Sequence, residues 1–214
     1  MSKRIVVGLD PSEYTQVATE LACQRAKIYD GTVVGVGVVD LPGIERSSSG
    51  AGVGASHYAK RAREKHIKEA EIKVEGLLQT FRDTCEQHGV AYETEHKAGE
   101  PSYEVADVGT SADLIMLGTR TYFHFETEKG AGDTIQEVLR ERACPVMAVP
   151  KTMTMPLGMA IFPYDGSMKA AHAMREFVTL TSTLPFALDV LLLRIDEDVE
   201  QGRKDLIRPR QYLE

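Results

Sequence analysis

A chain of 214 residues, 43% of them apolar, has room for one large domain, or one and a half ordinary ones, around a real core. Its net charge of -7 offers no basic face to displace counterions, which excludes a nucleic-acid binder held mainly by charge. No apolar run is long enough to span a bilayer, and the opening MSKRIVVGLDPS lacks the apolar region and cleavage site of a signal peptide, so a cytoplasmic protein that binds no membrane is expected.

Residues 4–9, RIVVGL, are a β-branched run that stops at Asp10-Pro11-Ser12, the pattern of a buried strand. Ser12 or Asp10 can cap a helix over about 13–29, with Val17, Leu21, Ala22 and Ile28 as its apolar stripe. Asp30-Gly31 ends it, and residues 32–39 read as a second strand buried on both faces. Residues 41–56 turn to Pro, Gly and Ser and read as a loop. A long helix is expected over about 58–88, burying Ile67, Ile72, Val74, Leu77, Leu78 and Phe81 and solvating its many Lys and Glu residues. Gly89 closes it, and residues 90–96 alternate as a more exposed third strand.

Gly99-Glu100-Pro101-Ser102 opens another helix, Pro and Ser suiting its first turn. DLIMLG at 113–118 is a fourth strand, a polar loop runs over 119–132, a helix over about 133–141, and CPVMAV at 144–149 a fifth strand. Strands alternating with helices imply an α/β fold, a parallel sheet wound on both sides. The three cysteines, Cys23, Cys85 and Cys144, form no CxxC pair and no metal cluster. Their apolar or helical settings suit small buried hydrophobes in a reducing compartment.

The chain then repeats itself weakly. RIVVGLDPS at 4–12 matches MAIFPYDGS at 159–167, aligning Asp10 with Asp165 and Ser12 with Ser167, and VVGVGVVD at 33–40 answers LDVLLLRID at 188–196. A period this long means a tandem domain, not a solenoid. The expected organisation is a complete unit over 1–150, a linker over 151–156 and a partial second copy over 157–214, made of strand, helix, strand and charged tail. Such a half unit cannot close a core by itself, so it is expected to pack on the first unit or on a partner chain.

In a doubly wound sheet, ligands sit beyond the carboxyl ends of the strands where connections diverge to opposite faces. With the first strand central, Asp10 and Gly118 flank that crevice. The helix opening near Asp133 aims free N–H groups and a positive dipole end toward it, and Lys129-Gly130-Ala131-Gly132 supplies a loop that can approach a phosphate.

The first strand ending in Asp10-Pro11-Ser12, the Gly99-Glu100-Pro101 opening, DLIMLGTR and the closing helix into CPVMAVP together resemble the universal stress protein family over residues 3–150. Residues 157–196 resemble a second copy through Tyr164-Asp165-Gly166-Ser167. The resemblance implies a five-stranded parallel sheet of order 3-2-1-4-5 with helices on both faces, a homodimer, and in some members a bound ATP. Carried over by position, Asp10 matches an adenine-side Asp and Val38 the end of the second strand. Leu117 and Gly118 match the start of a G-x2-G-x9-G-[ST] pattern, and Gly132, Asp133, Thr134 and Ile135 its phosphate end.

This chain departs from that pattern in three ways. Thr121 stands for the second glycine, the spacing to Gly132 is one residue longer, and Asp133 replaces a Ser or Thr. A carboxylate there repels a triphosphate and is itself a good N-cap. Arg120 and Lys129 offset the charge, while Glu126 and Glu128 add to it.

Two readings therefore stand open: an ATP-binding regulatory module, or an interaction protein of the same fold whose pocket is capped by Asp133. A third, weak ATP hydrolysis, has only the fold behind it. The second copy has no glycine-rich loop, so no independent nucleotide site is expected there, and its Asp165-Gly166-Ser167 reads as a turn and cap. The six histidines are scattered, with no HxH or HExxH spacing, no G-x-S-x-G elbow and no GK[ST], so neither a metal site nor a catalytic constellation is expected. His124, between Phe123 and Phe125, reads as a packing or lid residue.

Overall fold

The computed structural model describes residues 3–48, 56–123, 133–141, 143–153, 159–182, 187–192, 206–207 and 210–212, and of residues 48, 56–59, 133 and 187–192 the backbone alone. The chain divides into two compact units, residues 1–153 and 154–214.

The first unit is built on five parallel strands, β1 (Arg4–Leu9), β2 (Thr32–Asp40), β3 (Ala91–Gly99), β4 (Leu114–Gly118) and β5 (Val146–Val149), in the order β3-β2-β1-β4-β5. This is the expected order 3-2-1-4-5. Strands β1, β2 and β4 are covered on both faces and buried at nearly every position, which is why their sequences are unbroken apolar runs. At one edge, β3 stays largely exposed or half-buried, and its sequence alternates accordingly.

Helices α1 (Glu13–Tyr29) and α3 (Ser56–His88) pack together on one face of the sheet, while α4 (Pro101–Gly109) and α5 (Asp133–Glu141) pack together on the other. Two glycines of β2 let α3 lie close: a Cβ at Gly35 would stand 2.7 Å from the Phe81 ring, and one at Gly37 would stand 2.6 Å from Val74. The alternate residues Val34, Val36 and Val38 join Val105, Leu117 and Phe123 in the core of the opposite face. Pro101 opens α4 at its first turn, as expected. Asp30 ends α1 in the left-handed region, φ 51°, a conformation Asp tolerates better than most residues.

Three expectations are corrected. Residues 41–48 are not a loop but helix α2 (Leu41–Ser48), because Asp40 accepts the Gly43 N–H at 2.9 Å as an N-cap and Pro42 fits the first turn. Ile28 and Ile72, assigned to buried stripes, are 50% and 65% exposed. The expected Leu21 and Ala22 of α1 and Val74, Leu78 and Phe81 of α3 are buried, joined by Ala18, Cys23, Ala70 and Cys85, small residues that allow close approach.

In the second unit β6 (Met159–Tyr164) and β7 (Ala187–Leu192) pair in parallel through α6 (Met168–Thr181), with Met159 opposite Ala187. Phe162 and Phe177 pack with ring centroids 5.7 Å apart, seating the helix on its strand. Gly166 takes φ 80° and the Ser167 hydroxyl oxygen accepts the Ala170 N–H at 3.0 Å, the turn and cap expected there. Among the described residues no helix is long and apolar enough to cross a membrane.

Candidate functional site

The strand order puts β1 in the centre, and its neighbours β2 and β4 belong to connections that leave for opposite faces. The crevice beyond the carboxyl ends of β1 and β4 is therefore the switch point of the sheet. Leu9 lies opposite Gly37 on β2, which sets Val38 level with Asp10, and continuing the Val7–Met116 pairing sets Leu9 level with Gly118. The sheet thus brings Asp10, Val38, Leu117 and Gly118 to one edge.

Asp10 is fully buried, and its carboxylate organises the edge. Oδ1 accepts the Ser12 hydroxyl at 2.6 Å, the Ser12 N–H at 3.3 Å and the Thr15 hydroxyl; Oδ2 accepts the Tyr122 N–H at 2.8 Å. The Asp10 N–H in turn donates to the Thr15 hydroxyl oxygen at 3.0 Å. Ser12 occupies the N-cap position of α1 but gives its hydroxyl to Asp10 and makes no side-chain cap bond. This corrects the expected capping: the carboxylate draws in the first turn of α1 and also holds a residue 112 positions away, beyond β4.

The loop leaving β4 folds back over the same edge. Thr119 N–H bonds the Val149 carbonyl at 2.8 Å, and the buried Thr121 donates its hydroxyl to the Gly118 carbonyl at 2.8 Å. Gly118 has no room for a side chain. A Cβ there would collide with Tyr14 Cβ and stand 2.9 Å from the Thr121 hydroxyl oxygen. Phe123 is fully buried, and a Cβ at Gly8 would run into Leu117 and lie 3.0 Å from the Phe123 ring. Thr121 at the glycine position therefore packs directly over Gly118 at this edge.

Of the residues singled out in the sequence, Val38 and Leu117 lie in the apolar core and Arg120 is exposed at the turn after β4. Thr134 is buried and Ile135 packs against the core from the first turn of α5. Since α5 returns from β4 to β5 and both strands are parallel, its N-terminus faces the carboxyl edge. Gly132, His124, Glu126, Glu128 and the Lys129–Ala131 loop lie outside the described residues, as does the side chain of Asp133 and with it the capping expected of that residue.

Sequence reasoning missed Tyr14, Thr15 and Tyr122. Thr15 carried a readable signal, because an Asp followed five residues later by Thr at a helix start sets up this bond. The Tyr122 contact is made by a backbone N–H and carries no side-chain signature. Among the described residues no group of three or more His, Cys, Asp or Glu side chains is placed to hold a metal.

Comparison with known proteins fits this geometry. The profile described as the universal stress protein family matches residues 1–150. A curated universal stress protein of Synechocystis is 27% identical over 152 residues, spanning 70% of this chain and 87% of the relative. Another, from Methanocaldococcus jannaschii, is 27% identical over 152 residues, spanning 70% and 82%. The crystal structure of a universal stress protein from Archaeoglobus fulgidus superposes with a TM-score of 0.65 at 18% identity, covering 99% of this chain and 74% of that one, a likeness of fold.

Proposed function

The chain belongs to the universal stress protein family, and on that premise we propose that it is a regulatory module of a stress response whose first unit takes an adenine nucleotide across the carboxyl ends of β1, β2 and β4. The observation that carries the reading is the carboxylate of Asp10, fixed in one rotamer at the switch point. Oδ1 is filled by Ser12 and Thr15, whereas Oδ2 accepts the Tyr122 N–H, so an exocyclic amine can share it with that N–H. The N-terminus of α5, with Gly132, Asp133, Thr134 and Ile135, would face the phosphates, and Arg120 would add a positive charge. The role is binding, with ATP as effector and not as a turned-over substrate. The protein acts in the cytoplasm as a homodimer, and residues 157–214 repeat the strand-helix-strand that opens the first unit.

One observation favours a second reading. Asp10 has no exposed surface, and Tyr14 and Thr121 occupy the space over Gly118. An interaction module with a filled crevice would be built this way. Heat-denaturing the purified protein and quantifying adenine nucleotide in the supernatant separates the two, backed by melting curves with added ATP. Near-stoichiometric nucleotide, or a melting temperature that climbs with ATP, supports the nucleotide reading. No released nucleotide and an unmoved melting curve sink it and leave the filled crevice.

A further inference from the structure

Two of the three cysteines meet in the core although 62 residues separate them. Cys23 of α1 and Cys85 of α3 are both fully buried, both reduced, and their sulfurs are 3.7 Å apart, in van der Waals contact and hydrogen-bonded. We propose that this pair is a redox modification site: a small peroxide oxidises it to an intramolecular Cys23–Cys85 disulfide that staples α1 to α3.

The two sulfurs already touch, 3.7 Å apart, so only a short gap separates them from disulfide-bond length. The contact between the two sulfurs, in which either can be the donor, lowers the Cys23 thiol, whereas the same contact and burial raise Cys85. We assign the first attack to Cys23, the thiol that this contact lowers; the contact of the two sulfurs is what carries the disulfide. Its thiolate attacks one peroxide oxygen, the O–O bond breaks, and the departing hydroxide takes up the thiol proton as water, leaving Cys23 as a sulfenic acid. The Cys85 sulfur then attacks the Cys23 sulfur; the S–O bond breaks, and a second water leaves with the Cys85 proton. Two thiols and one hydrogen peroxide give one disulfide and two waters. Access comes from the position of Cys85 in the last turn of α3, which ends at His88, where helix ends open most readily.

Cys144 is a built-in contrast. It is half-buried and has no thiol neighbour among the described residues; burial, with Asp113 nearby, pushes its thiol up to about 11. Exposure alone would make Cys144 the first to react, whereas proximity selects the buried pair.

The test is to treat the full-length native protein with hydrogen peroxide, quench in denaturant with an alkylating agent, and map the peptides without reduction. The expected result is loss of two of the three thiols, a Cys23–Cys85 cross-linked peptide, alkylated Cys144 and a chain that remains monomeric on a non-reducing denaturing gel. Dithiothreitol should restore all three thiols, and the oxidised protein should melt at a higher temperature than the reduced one. In Cys85→Ser, dimedone should trap the sulfenic acid on Cys23, while Cys144→Ser should leave the cross-link intact. Sulfinic acid on either buried cysteine without a cross-link, a chain-to-chain disulfide through Cys144, or thiols that react only after denaturation would each overturn the proposal. The wild-type peptide map decides even where a serine variant fails to fold.

Discussion

Replacing Asp10 with alanine removes the acceptor on which the edge of the first unit is organised. The Tyr122 N–H, bonded at 2.8 Å to a charged oxygen, loses a contact of about 1.5–3 kcal/mol. The Ser12 and Thr15 hydroxyls can turn elsewhere, and their losses are about 0.5–1.5 kcal/mol each. Against these stands the desolvation cost of a fully buried carboxylate, which alanine relieves. Truncating one member of a buried charged network leaves its partners unpaired, so the net expectation is a loss of about 3 kcal/mol, or roughly 6–12 °C in melting temperature for a chain of this size. Asp10→Asn should cost less, about 1–2 kcal/mol: its amide oxygen can take the Tyr122 N–H and its amide NH2 can donate to the Ser12 and Thr15 hydroxyl oxygens, while the Ser12 N–H bond of 3.3 Å is lost. The chain folds as two units, so the informative assay is residue-resolved hydrogen exchange beside a urea titration. The Tyr122 amide should exchange much faster in the alanine variant and only somewhat faster in the asparagine variant. If both variants stay within about 0.5 kcal/mol of the parent and Tyr122 keeps its protection, the carboxylate is not the tie argued above.

Gly118→Ala forces its new methyl against Tyr14 and Thr121 and should lower stability by about 1–3 kcal/mol in thermal melts, with faster exchange in the first turn of α1. The bidentate Arg4–Glu93 pair, two bonds of 2.8 Å, holds the Glu93 carboxyl below its usual range. Its contribution is therefore present above the unfolded value, near 4.3, and is lost as pH falls through the lowered folded value. Glu93→Gln should cost under about 1 kcal/mol at neutral pH because the pair is half exposed, and the difference from the parent should vanish in acid melts. Ser167→Ala removes the N-cap of α6 and should cost about 1 kcal/mol in the second unit, with faster exchange at Ala170 and unchanged protection in β1 and β4.

The strand order and helix placement were legible because the central strands carry unbroken apolar runs and the breaks between them carry Asp-Pro-Ser, Asp-Gly and Gly-Glu-Pro. Each is a local signal with a local cause. Helix α2 was missed by weighing the Pro, Gly and Ser content of 41–56 above the cap that precedes it, although Asp40, Pro42 and Gly43 together spell a helix start. Ile72 was assigned to the buried stripe of α3 because periodicity cannot tell where a 33-residue helix meets its sheet and where it does not. Phe123 was read only as a flank of His124, yet it belongs to the core. An aromatic in a loop has no period to betray its burial.

The twin motifs show where local reading stops. Asp10-Pro11-Ser12 and Asp165-Gly166-Ser167 both begin a helix after a strand, and in both the Asp Oδ1 accepts the Ser N–H two residues on. In the second unit Asp165 is exposed and its contacts stay within its own turn, with Ser167, whose hydroxyl oxygen still caps α6. In the first unit Thr15 and the Tyr122 N–H converge on the same carboxylate; Asp10 is buried, and Ser12 gives up its cap to complete the ring of donors. A helix start does not need a buried negative charge, and burying one is costly unless donors surround it. Four donors from two separate stretches of chain do so here, which makes Asp10 an organising centre of the carboxyl edge and Asp165 a turn residue.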